Sequence, residues 1–278
     1  MLKLEAAALT DAGRQRSMNE DRVWSQIYAA SEGEAVGLFI VCDGIGGYLG
    51  GEVASHWAVE TVKRELNDLF CPPDPRATVQ LSKTELDAAL RGSESTRLSG
   101  LRKLENRVRQ AVQKANLVVY QYAKQKPDKA GDAGTTITMG LVLGDRAVIA
   151  NVGDSRAYMI RDGQLHQITQ DHSLVATLVA AGQIQPREVF THPQRNLIYR
   201  SLGHKRDVQV DTFVQMVNQG DTLIFCSDGL WEMVQDDQKI VRLTLEAKSA
   251  AQACRDLVDA ANAAGGEDNI GVIVVKVT

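Results

Sequence analysis

Acidic residues beside small or amide residues occur at four places in the chain, and their chemistry suits metal binding. The segments are Asn19–Asp21, Asp43–Gly47, Ser227–Gly229 and Glu267–Asn269. Divalent cations such as Mg²⁺ and Mn²⁺ are bound in proteins by carboxylate and carbonyl oxygens. A glycine that follows an aspartate has no Cβ, so its backbone carbonyl can approach a metal closely. Each segment taken alone is also typical of an ordinary turn or helix cap.

The positions of these carboxylates relative to apolar runs are more informative than any one segment. Two strand-like runs, Phe39–Cys42 and Leu223–Cys226, end just before Asp43 and near Asp228, and Asp268 starts the last strand-like run. Strands that end at one edge would bring these carboxylates together. Adjacent carboxylates repel one another and raise one another's pKa unless a cation neutralises them. The sequence therefore predicts a two-metal site, whose use is to generate hydroxide at neutral pH.

The elements that must position these residues can be read from apolar periodicity and turn residues. Helices are predicted over about Gly51 to Phe70, Leu101 to Lys124 and Ser249 to Ala264. Strands are predicted over Val36–Cys42, Thr135–Leu143, Arg146–Val152, Arg156–Arg161, Gln164–Ile168, Val208–Val217, Thr222–Cys226 and Asn269–Val277. The pair Asp162-Gly163 predicts a tight hairpin.

Hairpin-linked strands and separate long helices, without βαβ alternation or internal repeats, indicate an α+β fold. We expect one domain over residues 1–278, with two antiparallel β-sheets packed as a central sandwich, flanked by α-helices in α-β-β-α layers, and with metals at one edge. Residues 173–202 are predicted to form short helical pieces broken by Gly182 and Pro186. The polar, Ser-rich stretch 78–100 is predicted to be a variable insertion.

Composition excludes several classes of function. The formal net charge is −4, and no Lys/Arg run suggests nucleic-acid binding. The longest apolar runs, Val36–Cys42 and Ile270–Val275, are too short to cross a bilayer, and residues 1–10 do not resemble a signal peptide. We expect a cytoplasmic monomer that binds neither nucleic acid nor membranes.

Motifs along nearly the whole chain resemble those of the metal-dependent type 2C serine/threonine protein phosphatases, in particular the bacterial members. Gly13–Asp21 is similar to the opening GxxRxxNED motif, and Asp43–Gly47 to the DGxGG motif. The later motifs follow in order at Gly50–Ser55, Gly134–Thr136, Gly153–Arg156, Asp171–Ser173, His192–Asn196, Ser227–Trp231 and Asp268–Asn269. The resemblance implies hydrolysis of phosphoserine and phosphothreonine in proteins, in opposition to serine/threonine kinases.

The resemblance also implies roles for the carboxylates. Asp43 would bridge two Mg²⁺ or Mn²⁺ ions, and the Gly44 carbonyl would bind one of them. Asp228 and Asp268 would complete the other ion's ligands, with Asn269 orienting Asp268. Metal-bound waters or the second ion would be held by Glu20 and Asp21.

A third ion is common in bacterial members of this family. Its ligands here would be Asp132, with Asp228 and Glu232 as further candidates. Asp128 competes with Asp132, because the spacing to Gly134 differs from the family pattern. Asp154 and Ser155 are interpreted as bracing a strand turn.

The resemblance assigns the substrate phosphate to Arg16, whose planar fork suits two phosphate oxygens. The nucleophile would be the water or hydroxide shared by the metals, without a phosphoenzyme. This agrees with the cysteines, since a tyrosine-phosphatase type of nucleophile needs an arginine six residues later. The residues six positions after Cys42, Cys71, Cys226 and Cys254 are Tyr48, Ala77, Glu232 and Ala260.

Residues 173–202 correspond to the family's flap beside the active site. His192 and Arg195 would contact a phosphopeptide there, or would only fix the loop. The general acid stays open, because Ile45 stands where eukaryotic members often carry a histidine, and Tyr48 where some bacterial members do.

Two other functions compete with this hypothesis. A catalytically silent relative would bind phosphoproteins without hydrolysing them, but such relatives lose metal carboxylates and this sequence has them all. A partner-switching phosphatase would act on one dedicated regulatory protein. Those usually carry a sensor domain, and the motifs from Gly13 to Asn269 leave no room for one.

Overall fold

The computed structural model of the chain describes residues 2–29, 35–46, 50–70, 88–90, 93–127 and 133–278. Some sequence-based predictions lie outside these residues. They include the choice between Asp128 and Asp132 for a third ion, the position of Tyr48 and most of the stretch 78–100.

Two five-stranded sheets form the centre of the molecule. The first contains, in spatial order, β1 (Leu4–Asp11), β12 (Ile270–Val277), β11 (Thr222–Cys226), β8 (Arg156–Arg161) and β9 (Gln164–Gln167). The second contains β10 (Asp211–Met216), β7 (Arg146–Val152), β6 (Ile137–Leu143), β3 (Ala35–Cys42) and β2 (Arg22–Ala29). A short ladder joins β4 (Gly44–Ile45) to β5 (Gly134–Thr135). The strand pairs are antiparallel.

Helices cover the outer face of each sheet. They are α1 (Gly50–Leu66), α2 (Glu94–Gln125), α3 (Leu174–Ala180), α4 (Asp228–Trp231), α5 (Asp237–Glu246) and α6 (Ala250–Ala263), with 3-10 turns at Asn67–Leu69 and Pro186–Thr191. The second sheet packs on α1 and α2, and the first on α5 and α6. The predicted α-β-β-α sandwich is confirmed. Within the described chain, no helix is both long and apolar enough to cross a membrane.

Period-two alternation on the central strands explains why three apolar layers form. On β3, Leu38 and Ile40 pack against the helices, whereas Phe39 and Val41 pack between the two sheets. The Phe39 ring lies 6.0 Å from that of Phe225 on the facing sheet. Burying each such side chain contributes about 1.5–3 kcal/mol, so these layers fix the relative positions of the sheets.

Several elements were missed or misplaced by the sequence analysis. Strands β1 and β2 and helix α5 were not predicted. Helix α2 begins at Glu94 rather than Leu101, because the Ser93 hydroxyl caps it by accepting from the Thr96 amide. Residues 94–100 are therefore helical, and the insertion predicted over 78–100 stays a prediction. The predicted strand Thr135–Leu143 is split at Thr136, whose hydroxyl accepts from the Asp43 amide instead.

The predicted breaks within residues 173–202, here called the flap segment, lie where expected. Helix α3 ends at Ala180, and Gly182 follows with a φ of 67°. Pro186 begins the 3-10 turn. The hairpin between β8 and β9 also agrees with the sequence, since Asp162 and Gly163 have the positive φ angles, 52° and 74°, that its turn requires.

Candidate active site

Four strand ends bring the predicted carboxylates to one edge of the sandwich. Asp21 precedes β2 and Asp43 follows β3, and these strands are neighbours, with Arg22 opposite Cys42. In the other sheet, Ser227 and Asp228 follow β11. Asp268 lies just before β12, the strand that pairs with β11. We call the group Asp21, Asp43, Asp228 and Asp268 the acidic edge.

Ser227 ties the two sheets together at this edge. Its hydroxyl donates to Asp21 Oδ2 at 2.6 Å and accepts from the Gly271 amide at 2.8 Å. Asp21 is only 2% exposed. The other oxygen of Asp21, Oδ1, and Oδ1 of Asp228 are buried without a hydrogen-bond partner in the described structure. Buried polar atoms are rarely left unpaired, so these two oxygens indicate a missing ligand.

Burial and mutual repulsion shift the protonation of the acidic edge. Burial, followed by the charges of Asp228 and Asp21, raises the pKa of Asp43 well above its ordinary value. Burial, followed by Asp154 and Asp268, does the same to the pKa of Asp228. Burial raises the pKa of Asp21 to about 7, although the Ser227 hydrogen bond opposes the shift. The cluster thus lacks the positive charge that would stabilise its ionised form.

Two glycines and two threonines fix the backbone around Asp43. A Cβ on Gly44 would lie 2.5 Å from the Gly51 carbonyl carbon, and one on Gly51 would lie 2.8 Å from the Gly44 carbonyl carbon. Only glycine permits this close approach of β4 to the start of α1. The Thr135 hydroxyl and the Thr136 amide both donate to the Asp43 carbonyl at 2.8 Å. This contact gives the Gly-Thr-Thr segment a role that the sequence did not reveal.

Asn269 organises the loop that carries Glu20. Its Nδ2 donates to the carbonyls of Ala12, at 3.0 Å, and Met18, at 2.8 Å, and its Oδ1 accepts from the Glu20 amide at 2.8 Å. Only its backbone amide reaches Asp268, donating to Oδ1 at 2.8 Å. The Asn269 side chain therefore holds the loop before β2, and its backbone orients Asp268.

Arg16 reaches the acidic edge from the solvent side. Its Nη2 lies 2.6 Å from Asp268 Oδ2, and the two side chains are 53% and 38% exposed. The charge of Asp268 raises the pKa of Arg16. Across the described ranges, no three His, Cys, Asp or Glu side chains are already arranged to hold a metal ion. Arg16 therefore competes with any cation for Oδ2 of Asp268.

A cleft of about 280 Å³ opens at this edge. The residues around it include Gln15, Arg16, Arg195, Asp228, Glu232 and Asp268. Arg195 comes from the flap segment and lies 3.6 Å from Glu232 and 3.5 Å from Glu267. His192 is not among the lining residues; its Nδ1 accepts from the Gln194 amide at 3.1 Å, within its own loop. The structure thus brings Arg195, but not His192, to the carboxylates.

Asp154 and Ser155 lie close behind the acidic edge. The Asp154 carboxyl is buried, and burial, with the charge of Asp171, raises its pKa to about 7. The Asp154 carbonyl accepts from Trp231 Nε1 at 3.1 Å, and the Ser155 hydroxyl lies 2.7 Å from that of Thr136. These contacts brace the loop between β7 and β8 against the site.

Beneath the flap segment lies a second group of buried charges, which we call the paired network. Arg156 donates to Asp171 through Nε and Nη2, at 3.0 and 2.7 Å, and its guanidinium stacks 3.5 Å from the Trp231 ring. The other half consists of His172, Asp211 and Arg200. The charges in both halves have partners within the protein.

The His172 half of the paired network is held by hydrogen bonds on both ring nitrogens. Nδ1 accepts from the Gly153 amide at 2.9 Å, and Nε2 lies 3.1 Å from Asp211 Oδ2. Arg200 donates to the other Asp211 oxygen at 2.8 Å. Burial is the main cause that lowers the pKa of His172. Burial opposes ionisation of Asp211, but the bonds from His172 and Arg200 outweigh it and lower its pKa.

Solved structures of similar fold indicate the class of this protein. A serine/threonine phosphatase from S. agalactiae has a TM-score of 0.79 and 32% sequence identity, with 99% of this chain and 100% of that chain covered. The catalytic domain of the serine/threonine protein phosphatase PstP, in complex with two manganese ions, has a TM-score of 0.74 and 30% identity, with both chains fully covered. The fold is thus that of a serine/threonine protein phosphatase.

Sequence comparisons identify the family. The family model for protein phosphatase 2C matches residues 12–261. The serine/threonine phosphatase stp of Listeria welshimeri is 34% identical over 273 residues, which cover 98% of this chain and 96% of that protein. The chain belongs to the protein phosphatase 2C family.

Proposed function

We propose that this phosphatase hydrolyses phosphoserine and phosphothreonine in proteins with two divalent ions held at the acidic edge. The observation that supports this most directly is the pair of buried, unpartnered oxygens, Asp21 Oδ1 and Asp228 Oδ1. Buried carboxylates with raised pKa values and no internal cation need an external one. Hard oxygen donors select Mg²⁺ or Mn²⁺ rather than a softer metal.

The proposed ligands follow from the strand ends. Asp43, at the centre of the cluster, would bridge the two ions, and the Gly44 carbonyl would contribute to one of them. Asp228 and Asp268 would bind the other. Two further residues, Glu20 and Asp21, would hold metal-bound waters or the second ion. When bound, the ions supply a water of lowered pKa as the nucleophile.

A third ion remains part of the proposal. Asp228 and Glu232 both line the cleft, and burial raises the pKa of Glu232 while Arg195 opposes the shift. Asp132 would complete this third site.

Arg16 would bind the substrate phosphate. Its guanidinium is exposed, lines the cleft and already holds an anionic oxygen, that of Asp268. A phosphate offers the same paired acceptors, so the side chain can exchange Asp268 for the substrate while the carboxylate turns to a metal.

Arg195 supplies a second positive charge at the cleft. Its distances of 3.6 and 3.5 Å to Glu232 and Glu267 are longer than those of a tight ion pair. The Arg195 side chain is therefore held near the cleft and can still contact a phosphopeptide. A contact between His192 and the substrate has less support, because Nδ1 of His192 accepts from the Gln194 amide within the same loop.

Phosphate release from a phosphothreonine peptide tests the proposed function. We expect release with Mn²⁺, none with excess chelator, and recovery when Mn²⁺ is restored. Phosphorylated substrates of serine/threonine kinases, and the kinases themselves, are the proposed partners. A folded protein that releases no phosphate in any of these conditions would support the silent relative instead.

A further inference from the structure

A second depression lies beside the cleft, and the proposed chemistry does not use it. Its volume is about 760 Å³, within the range of about 300–1,000 Å³ that is usual for ligand sites. It lies between α3 and the 3-10 turn of the flap segment on one side and the outer face of β8 and β9 on the other. We call it the flap groove.

The lining of the flap groove suits an apolar group. Leu165, Val179, Phe190 and Tyr199 are among the side chains that form it. The charges at its base, Arg156 and Asp171, neutralise each other through their two hydrogen bonds. The other charged residues of the lining, Arg187 and Asp237, have opposite signs, so the groove favours neither sign of charge. An aliphatic or aromatic side chain would be well accommodated.

The flap groove lies beside the phosphate cleft, because the same two chain segments contribute residues to both. On the flap side, Arg195 lines the cleft and Tyr199 lines the groove. On the opposite side, Met233 lines the cleft and Gln235 lines the groove. Between them on the flap side, Leu197 is 50% exposed, and Tyr199 is 56% exposed. A polypeptide held in the cleft by its phosphate would extend along this apolar path.

We propose that the flap groove binds an apolar side chain of the phosphoprotein substrate, on one side of the phosphorylated residue. This inference rests on the proposed function. The four-residue step from Arg195 to Tyr199 spans at most about 14 Å. An extended substrate covers that distance in about four residues, so the apolar side chain lies about three to five positions from the phosphoserine or phosphothreonine.

A set of phosphothreonine peptides measures this preference. Each peptide carries one phenylalanine, placed in turn at every position up to six residues before or after the phosphothreonine, in an uncharged Ala/Ser/Gly background. We expect kcat/KM to rise by about tenfold or more at one register, because burial of a phenylalanine favours binding by at least that factor. The gain should appear mainly in KM, since the groove is remote from the reacting phosphate.

Variants of the groove separate it from the cleft. Ala180 lies on the exposed end of α3 and lines the groove, so Ala180→Trp fills it; Tyr199→Ser instead removes part of its wall. Leu245→Gln is the matched control, since Leu245 is 46% exposed on α5 and lines neither depression. Both groove variants should lose the phenylalanine preference, while Leu245→Gln keeps it.

A small substrate distinguishes a failure of the proposed function from a failure of the groove proposal alone. p-Nitrophenyl phosphate is confined to the cleft, so its hydrolysis should be the same in the wild type, Ala180→Trp and Leu245→Gln. If the folded wild type hydrolyses neither this ester nor any of the peptides, the proposed function is wrong. Hydrolysis of all substrates with no preferred phenylalanine position, or a preference that survives both groove variants, would overturn the groove assignment alone.

Discussion

Two groups of carboxylates in this phosphatase, the acidic edge and the paired network, differ in the charges that surround them. In the paired network each carboxylate has a cationic partner, as in the contact of Arg156 with Asp171 at 2.7 Å. At the acidic edge, the Asp43 carboxylate is surrounded by others, and the one arginine in contact there among the described residues, Arg16, binds Asp268 from the solvent side. The pKa of Asp211 is lowered in the paired network, and that of Asp43 is raised at the acidic edge.

The charges of the paired network stabilise the fold by themselves, whereas those of the acidic edge need a bound cation. A buried ion pair is complete within the chain, and removing only one of its partners costs stability. A buried cluster of like charges weakens the fold unless a cation binds. Substitutions in the two regions should therefore have opposite effects on the stability of the metal-free protein.

The largest expected effect is on turnover in Asp43→Asn. Asp43 is the residue that we propose to hold both ions, and no other side chain at the edge would replace it, so we expect kcat to fall by at least about a thousandfold with Mn²⁺ present. In chelator the same change removes a repelling charge, so the free energy of unfolding should rise, by about 1 kcal/mol. Phosphate release and urea denaturation measure the two effects. Near-normal turnover in a well-folded variant would contradict the proposed site.

Substitution in the paired network should act on stability first. Asp171→Ala leaves the buried guanidinium of Arg156 without its main partner, and we expect a loss of about 3–5 kcal/mol in the free energy of unfolding. The Asp171 side chain is only 6% exposed, so solvent cannot replace the lost contact. The midpoint of urea unfolding is the measurement. A loss below about 1 kcal/mol would show that the network does not hold the fold.

The double variant Arg156→Met/Asp171→Leu is the control for that prediction. If the cost of Asp171→Ala comes from an unpaired buried charge, removing both charges should cost less than the sum of the single variants. Additive costs would instead indicate that each side chain acts through packing alone.

The sequence predicted the strands that are apolar throughout better than those that depend on their neighbours. Strands β7 and β11 have the predicted ends, Arg146–Val152 and Thr222–Cys226. Strand β1 was missed because its centre is three alanines, which favour strands weakly. Its pairing with β12 and packing against α6 override that local preference.

The sequence predicted which residues form the candidate site but not the contacts between them. The Asp-Gly pairs after apolar runs located Asp43 and Asp228, since strand ends aim side chains at a sheet edge. Nothing in the spacing could show that Asn269 binds the carbonyl of Met18, a contact across 251 positions. Such contacts depend on the register of β1 against β12, which a single sequence does not specify. For the same reason the sequence did not show that Arg156 contacts Asp171, whereas other carboxylates surround Asp43.

A smaller effect is expected for Arg16, the cation at the acidic edge. Arg16→Ala should lower kcat/KM for a phosphothreonine peptide by about ten- to a hundredfold, mainly through KM, because a phosphate contact is lost. Its exposed ion pair with Asp268 should contribute less than about 1 kcal/mol to stability, unlike that of Arg156. Arg16→Lys keeps the charge without the fork and should give an intermediate KM. Unchanged kinetics in Arg16→Ala would remove the phosphate role.

The smallest expected effect is the pH dependence of stability, which should have opposite signs in the two regions. The pKa of His172 is lowered in the folded protein, so the unfolded chain binds the proton more tightly. The stability due to neutral, buried His172 is therefore complete above its unfolded pKa of about 6.5 and is lost as the pH falls below it. Asp21, whose pKa is raised to about 7, acts in the opposite sense. In chelator, its contribution is lost as the pH rises from about 4 towards 7.

The variant His172→Gln isolates the contribution of His172 to the pH dependence of stability. The amide keeps a polar group beside Asp211 but cannot titrate, so the stability difference between wild type and variant should shrink as the pH falls from 7.5 to 5. Urea unfolding in chelator at several pH values gives that difference, and the acidic edge cancels because both proteins share it. A difference that stays constant over this range would show that His172 is not held neutral by the fold. The direction in which stability changes with pH therefore distinguishes the two regions. The paired network loses stability as the pH falls, whereas the acidic edge without its cation loses stability as its carboxylates ionise.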